Sequence, residues 1–317
     1  RSMDKKQINI GRIISVEGPV VDVQFEPGDA MPNVYEAVET KNFDGEKITL
    51  EVVEHLENRV ARCIALGSTL NIPYNTAAVP LGDVIRIPTG PEMFGRIVNV
   101  MGQSIDRQGE ITTLETAPIR RSISNVRLNP DHLLGGEPEI LETGIKVFDF
   151  LFPLVKGSKT GILGGAALGK SILILEMIHN VVQKHKGVCV FTGAGERIRE
   201  GNELYYELKK QNIADRVMMA FGQMDEPPGA RFEIAMTGVT LAEYLQEQNK
   251  DVLFFIDNVY RFVQAGAEIS TLLGRVPSET GYQPTLASEV GDFQERIRSR
   301  ESGSITAMEA LYVPADD

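Results

Sequence analysis

The stretch Thr160-Gly-Ile-Leu-Gly-Gly-Ala-Ala-Leu-Gly-Lys-Ser171 decides how the fold is read. Thr160 to Leu163 is a short apolar run of strand length, and Ser171 to His185 places apolar residues at helical spacing. Between them Gly164, Gly165, Ala166, Ala167, Leu168, Gly169, Lys170 and Ser171 match the pattern GxxxxGK[ST] in the strand-loop-helix setting that gives it meaning. Glycines let the backbone curl so that its N–H groups face an anion, and the following helix N-terminus adds a favourable dipole. Lys170 is placed to reach terminal phosphates, and the Ser171 hydroxyl to ligate Mg²⁺. The bland alternative is a glycine-rich turn with a surface lysine.

The same rhythm continues downstream. Val188 to Thr192, Val217 to Phe221 and Val252 to Ile256 are short apolar runs, alternating with helical segments at Asn202 to Gln211 and Phe232 to Gln248. Such alternation predicts a parallel sheet covered by helices. Phe254-Phe255-Ile256-Asp257 is an apolar run ending in an acid, which puts a carboxylate at the C-terminal edge of the sheet, where ligands of parallel sheets bind. Asp257 thus becomes a candidate Mg²⁺ ligand, with a helix N-cap as the other reading.

Upstream the pattern is different. Ile10 to Phe25, Lys47 to Val53, Arg59 to Leu66 and Asp83 to Ile87 read as short strands between turn signals such as Gly18-Pro19, which predicts a small barrel or sandwich. Leu114 to Glu139 reads as a long surface connection. The expectation is an α/β chain with an N-terminal β-barrel over 3–88 and a parallel-sheet nucleotide domain over 89–317. Arg1-Ser2 ahead of Met3 reads as a cloning remnant.

The net charge of -12 argues against a general binder of nucleic acid or anionic membrane. No apolar run approaches the roughly 20 residues of a membrane span. Cys63 and Cys189 make no disulfide framework and point to a reducing compartment. His55, His132, His179 and His185 show no metal-ligand spacing, and His179 and His185 fall on the polar side of their helix. Met218 and Met219 read as core.

Several further segments add up to a family. Gly193-Ala-Gly-Glu-Arg-Ile-Arg-Glu-Gly-Asn202, Gly222-Gln-Met-Asp-Glu-Pro-Pro-Gly-Ala-Arg231, Phe255-Ile-Asp-Asn-Val-Tyr-Arg-Phe262, Gly281-Tyr-Gln-Pro-Thr-Leu286 and Tyr312-Val-Pro-Ala-Asp-Asp317 resemble, in order and spacing, segments of the catalytic β subunits of F-type ATP synthases. The resemblance covers nearly the whole chain and implies a RecA-like nucleotide domain that binds ATP/ADP with Mg²⁺. It implies roles position by position. Glu196 matches the general base that polarises the attacking water, and Arg197 an arginine near the γ-phosphate. Glu200 matches an acid of the Mg²⁺ shell, Arg261 a basic residue nearby, and Tyr312 a tyrosine at the edge of the nucleotide site. Glu200 and Arg261 would equally suit a structural ion pair, and Tyr312 simple packing.

The resemblance also implies α-type partners in an alternating hexameric ring, a central rotor stalk, coupling to ion transport, and a cytoplasmic place peripheral to the membrane. An arginine from the neighbouring subunit completes the family's site. Two departures stand out. Ala167 replaces a glycine of the family's loop, and alanine tolerates positive φ poorly, at roughly 1 kcal/mol or more. The family's nucleotide domain continues past the position of Asp317 into parts that stack on adenine, and a helical domain follows, so the resemblance implies a truncated chain. Two competing readings are a nucleotide-binding structural subunit with little turnover and a related hexameric ATPase of protein export or RNA translocation.

Overall fold

The computed structural model describes residues 9–121, 139–164 and 169–312, with the side chain of Ser171 excepted. In the first part six strands close into an antiparallel barrel: β1 (Gly11–Glu17), β2 (Val20–Gln24), β3 (Glu36–Lys41), β4 (Lys47–Leu56), β5 (Val60–Ala65) and β6 (Ala77–Val84), in the order β1-β2-β5-β4-β3-β6. Alternation drives it. Val21, Val23, Leu50, Val52, Ala61 and Cys63 point inward to one apolar cluster with Ile13 and Val38. Full closure removes sheet edges.

Strand β3 was not among the segments expected from the sequence. β3 carries Glu36, a charged residue that is buried. Its carboxylate is satisfied locally, since Oε2 accepts from Asn33 N (2.9 Å) and Oε1 from Gly82 N (2.9 Å). Asp83 to Ile87 is not one strand. It divides between the end of β6 and β7 (Arg86–Thr89), which leaves the barrel and pairs with β9 (Glu115–Pro118). The expected surface connection therefore begins as a strand, and Ala117 and Ile119 are buried. Most of that stretch, 122–138, lies outside the described residues.

The second part is a six-stranded parallel sheet in the order β12-β16-β15-β13-β14-β8. Its strands are β8 (Ile97–Val98), β12 (Lys159–Leu163), β13 (Val188–Glu196), β14 (Val217–Gln223), β15 (Val252–Asp257) and β16 (Ile305–Leu311). A small antiparallel pair, β10 (Ile140–Leu141) and β11 (Leu154–Val155), flanks helix α1 (Lys146–Leu151). Helices α2 (Lys170–His185) and α3 (Ile198–Lys210) cover one face of the sheet. Helices α4 (Pro228–Glu247), α5 (Val259–Leu272) and α6 (Leu286–Arg296) cover the other.

α4 starts four residues before the expected Phe232 because proline is well placed in a first helical turn. It is buried nearly all round, wedged between sheet, barrel and α5. Each large apolar side chain it buries contributes roughly 1.5–3 kcal/mol. At its start Gly229 touches the barrel, and a Cβ there would stand 2.6 Å from Ala65 O. Met218 and Met219 lie in the core as expected. His179 does not sit in solvent. It is half-buried, with Nδ1 buried and without a hydrogen-bond partner, because α2 packs closely on the sheet. His185 is exposed, with Nε2 3.0 Å from Glu142 O. Among the described residues no helix is long and apolar enough to cross a membrane.

Candidate functional site

The site lies where β12, β13 and β15 end together. β12 runs out at Leu163, and Gly164 N donates to Leu311 O of β16 (3.1 Å). The chain re-enters the described structure at Gly169, whose left-handed backbone (φ +82°) starts α2 without a capping side chain. An uncapped helix N-terminus leaves N–H groups free for an anion. Among the described residues nothing stands within 4 Å of a Cβ placed on Gly169. Lys170 Nζ donates to Gly164 O (3.0 Å) and stands 5.8 Å from the Tyr312 ring centroid. Lysine, helix start and Tyr312 are thus brought together. Gly165, Ala166, Ala167, Leu168 and the Ser171 side chain lie outside the described residues.

Strand register places the acids. Gly193 of β13 is level with Asp257 of β15, and Glu196 is level with Gln223 of β14. Glu196, Glu200 and Asp257 line one cavity of about 190 Å³ between α2 and α3, floored by Ile174, Phe191, Leu204 and Phe221. Glu196 also lines a second cavity of about 420 Å³, together with Arg197, Asn202, Tyr205, Tyr206 and Gln223. It is therefore the carboxylate shared by both chambers.

The electrostatics follow from crowding in a poorly solvated place. Burial pushes the Glu196 carboxyl up to about 9, helped by its hydrogen bond with Glu200 and the charge of Asp257, and opposed by Arg261. Burial also raises Asp257, while Lys170 opposes it and Glu200 adds to it. Carboxyls held above their usual range at a strand edge await positive charge. Asn258, next along, caps α5 by accepting from Tyr260 N (2.8 Å), so the capping role considered for Asp257 belongs to its neighbour.

Arg261 gives its Nη1 to Gln264 Oε1 (3.4 Å) rather than to Glu200. Its stem lies against Gly195, where a Cβ would stand 2.9 Å from Arg261 Cβ. Gly195 has φ +67°, so two reasons require glycine there. Sequence reasoning missed this positioning role, as it missed Gln223 and Tyr205 in the second cavity. The glycine was visible in the quoted segment, but the residue it accommodates was not.

Among the described residues no group of three or more His, Cys, Asp or Glu could hold a metal ion by itself. Mg²⁺ usually keeps several waters and binds through one or two carboxylates plus substrate phosphates. Two raised carboxyls beside an uncapped helix start fit a cation that arrives with a phosphate chain.

Comparison with known families gives two matches. The description "ATP synthase alpha/beta family, nucleotide-binding domain" matches residues 144–317. The description "ATP synthase alpha/beta family, beta-barrel domain" matches residues 13–82.

Proposed function

The chain belongs to the ATP synthase alpha/beta family, and from that premise we propose that it is a catalytic, β-type subunit of an F-type rotary ATPase. It acts on ATP/ADP with Mg²⁺ at an interface with an α-type neighbour, in an alternating hexameric ring around a rotor stalk and coupled to ion transport. The observation that carries this reading is the place of Glu196. It stands at the end of β13, in one cavity with Asp257 and within the field of Arg261.

The roles follow from chemistry. The start of α2 with Lys170 holds the phosphates, joined by the loop Gly164 to Ser171, and Tyr312 borders the nucleotide. Ser171, Asp257 and Glu200 would hold Mg²⁺, which would supply charge neutralisation on the phosphates. Glu196 orients and deprotonates the attacking water, and Arg197 and Arg261 stabilise charge that develops on the transferred group. Burial favours the protonated form of Glu196 in the empty site, and a cation arriving there, whether with the nucleotide or as a neighbour's arginine, would favour the carboxylate that serves as base. We place the division between barrel and nucleotide domain at 88/89. The subunit works at the cytoplasmic side, peripheral to the membrane.

The test is Glu196→Gln in an assembly with an α-type partner. ATP turnover should fall by about 10²–10⁴-fold, with Mg-nucleotide binding by calorimetry retained. Unchanged turnover would overturn the catalytic reading in favour of a structural nucleotide-binding subunit.

A further inference from the structure

The second cavity, of about 420 Å³ beside Glu196, opens between α3 and the loop that follows β8. Its size is that of cavities that hold small molecules. Two guanidiniums line it, Arg107 from the loop and Arg197 from the residue before α3, and both are exposed. Among the described residues neither makes a hydrogen bond or an ion pair. In a chain with a net charge of -12, two arginines left without partners at one cavity form a local positive site. The acids on its wall do not balance them. Asp106 is spent on Arg96, and burial favours the protonated form of Glu196.

Arg107 is held by what lies on either side of it. The Asp106 side chain is fully buried and accepts from Arg96 Nε (2.8 Å) and Nη2 (3.0 Å), from Ser104 Oγ (2.7 Å), and from the backbone N–H groups of Ile97 (3.1 Å) and Gln108 (3.0 Å). Gln108 Nε2 donates to the hydroxyl of Tyr205, which also lines the cavity. Between these two anchors the backbone of Arg107 is left-handed (φ +59°), a conformation that arginine adopts only at a cost. A loop tied on both sides sustains that cost and fixes where the guanidinium starts.

The walls narrow the class of ligand. Ile105, Ile198 and Tyr206 are 37%, 52% and 67% exposed, and the buried Phe221 lies behind them. Large apolar side chains left in solvent around a pair of cations suit a ligand with an anionic head and an apolar body.

The geometry points to a binding site for a small aromatic carboxylate, its head taken by Arg107 and Arg197 and its ring lying along Ile198 and Tyr206. A guanidinium presents a planar fork that matches a carboxylate. A flat ring beside Tyr206 gains aromatic contact beyond the area it buries, whereas a bare oxyanion would leave the apolar walls unused. Arg197 is shared with the proposed catalytic site and Arg107 is not, so a test on Arg107 leaves the catalytic reading untouched.

The experiment is a calorimetric titration of the full chain, without nucleotide, with 2-naphthoate. The expected result is saturable one-to-one binding. Arg107→Gly should weaken it by about tenfold or more, because the charged hydrogen bonds are lost. Glycine takes the left-handed backbone freely, so this variant should unfold at a midpoint no lower than the parent's. The uncharged 2-naphthol should bind about tenfold more weakly or worse. Lys170→Ala should bind 2-naphthoate as the parent does, which separates the cavity from the start of α2. An absence of saturable binding overturns the proposal, as does undiminished binding by the folded Arg107→Gly chain. So do equal binding of 2-naphthol, displacement of 2-naphthoate by an equal concentration of inorganic phosphate, and loss of binding in Lys170→Ala.

Discussion

The carboxyls at the strand edge, half-buried at Glu196 and Asp257 and exposed at Glu200, and the buried pair in the seam between barrel and nucleotide domain are neutralised differently. Glu51 and Glu233 have Arg120 bonded between them. Glu196, Glu200 and Asp257 have cations nearby, Arg261 and Lys170, that act at a distance while bonded elsewhere, to Gln264 Oε1 and Gly164 O. Burial pushes carboxyls up in both places. A cluster that closes a structure includes its cation, because a buried unpaired charge is costly. A cluster that does chemistry keeps its cations apart, so that the ligand's arrival completes the balance.

This contrast can be broken most easily at Arg120. Arg120→Ala should strand two buried carboxyls and lower the unfolding free energy by about 3–5 kcal/mol in urea. A loss under about 1 kcal/mol would mean that the seam does not depend on its built-in cation. Next in size is Gly229→Ala, whose Cβ would meet Ala65 O and Ile64 Cγ2, each at 2.6 Å. Overpacking of this kind costs about 1–3 kcal/mol, and nucleotide affinity, measured separately, should not change.

A smaller effect should come with pH. A carboxyl raised in the folded state binds its proton more tightly folded than unfolded. The stability it contributes is complete below its ordinary value of 4.5 and is lost as pH rises toward about 8. The unfolding midpoint should therefore fall across that window, and Glu51→Gln should flatten the fall. An unaltered slope would remove the seam cluster as its source. The smallest effect should be that of Arg199→Ala. Arg199 pairs with Glu203 on the exposed face of α3 (2.7 Å, side chains 86% and 60% exposed). Solvent screens such a pair, so no measurable change in the midpoint is expected.

Legibility followed the same division. The strands β13 to β15 were readable because a strand buried on both faces is a continuous apolar run, and the loop at Gly164 to Ser171 because its residues match a motif in a strand-loop-helix setting. Asp257 was legible as an acid at a strand end, and Glu196 only through the family resemblance of its segment, since β13 runs four residues beyond the expected Thr192. β3 was not, because its buried Glu36 is satisfied by backbone groups of Asn33 and Gly82, the latter 46 residues away. The seam cluster was invisible, since Glu51, Arg120 and Glu233 are ordinary charged residues until the fold buries them together.

The sequence by itself determined the two-part architecture, the nucleotide-binding class of the second part and the family, since each rests on local periodicity or on an ordered run of motifs. Only the tertiary structure decided that Glu196 is shared by two cavities, that Gly195 makes room for Arg261, and that a guanidinium and two carboxyls meet in the seam. Those facts depend on register and on contacts between residues far apart in the chain, and solvent exclusion, which sets the charge state of each acid, exists only after the chain has folded.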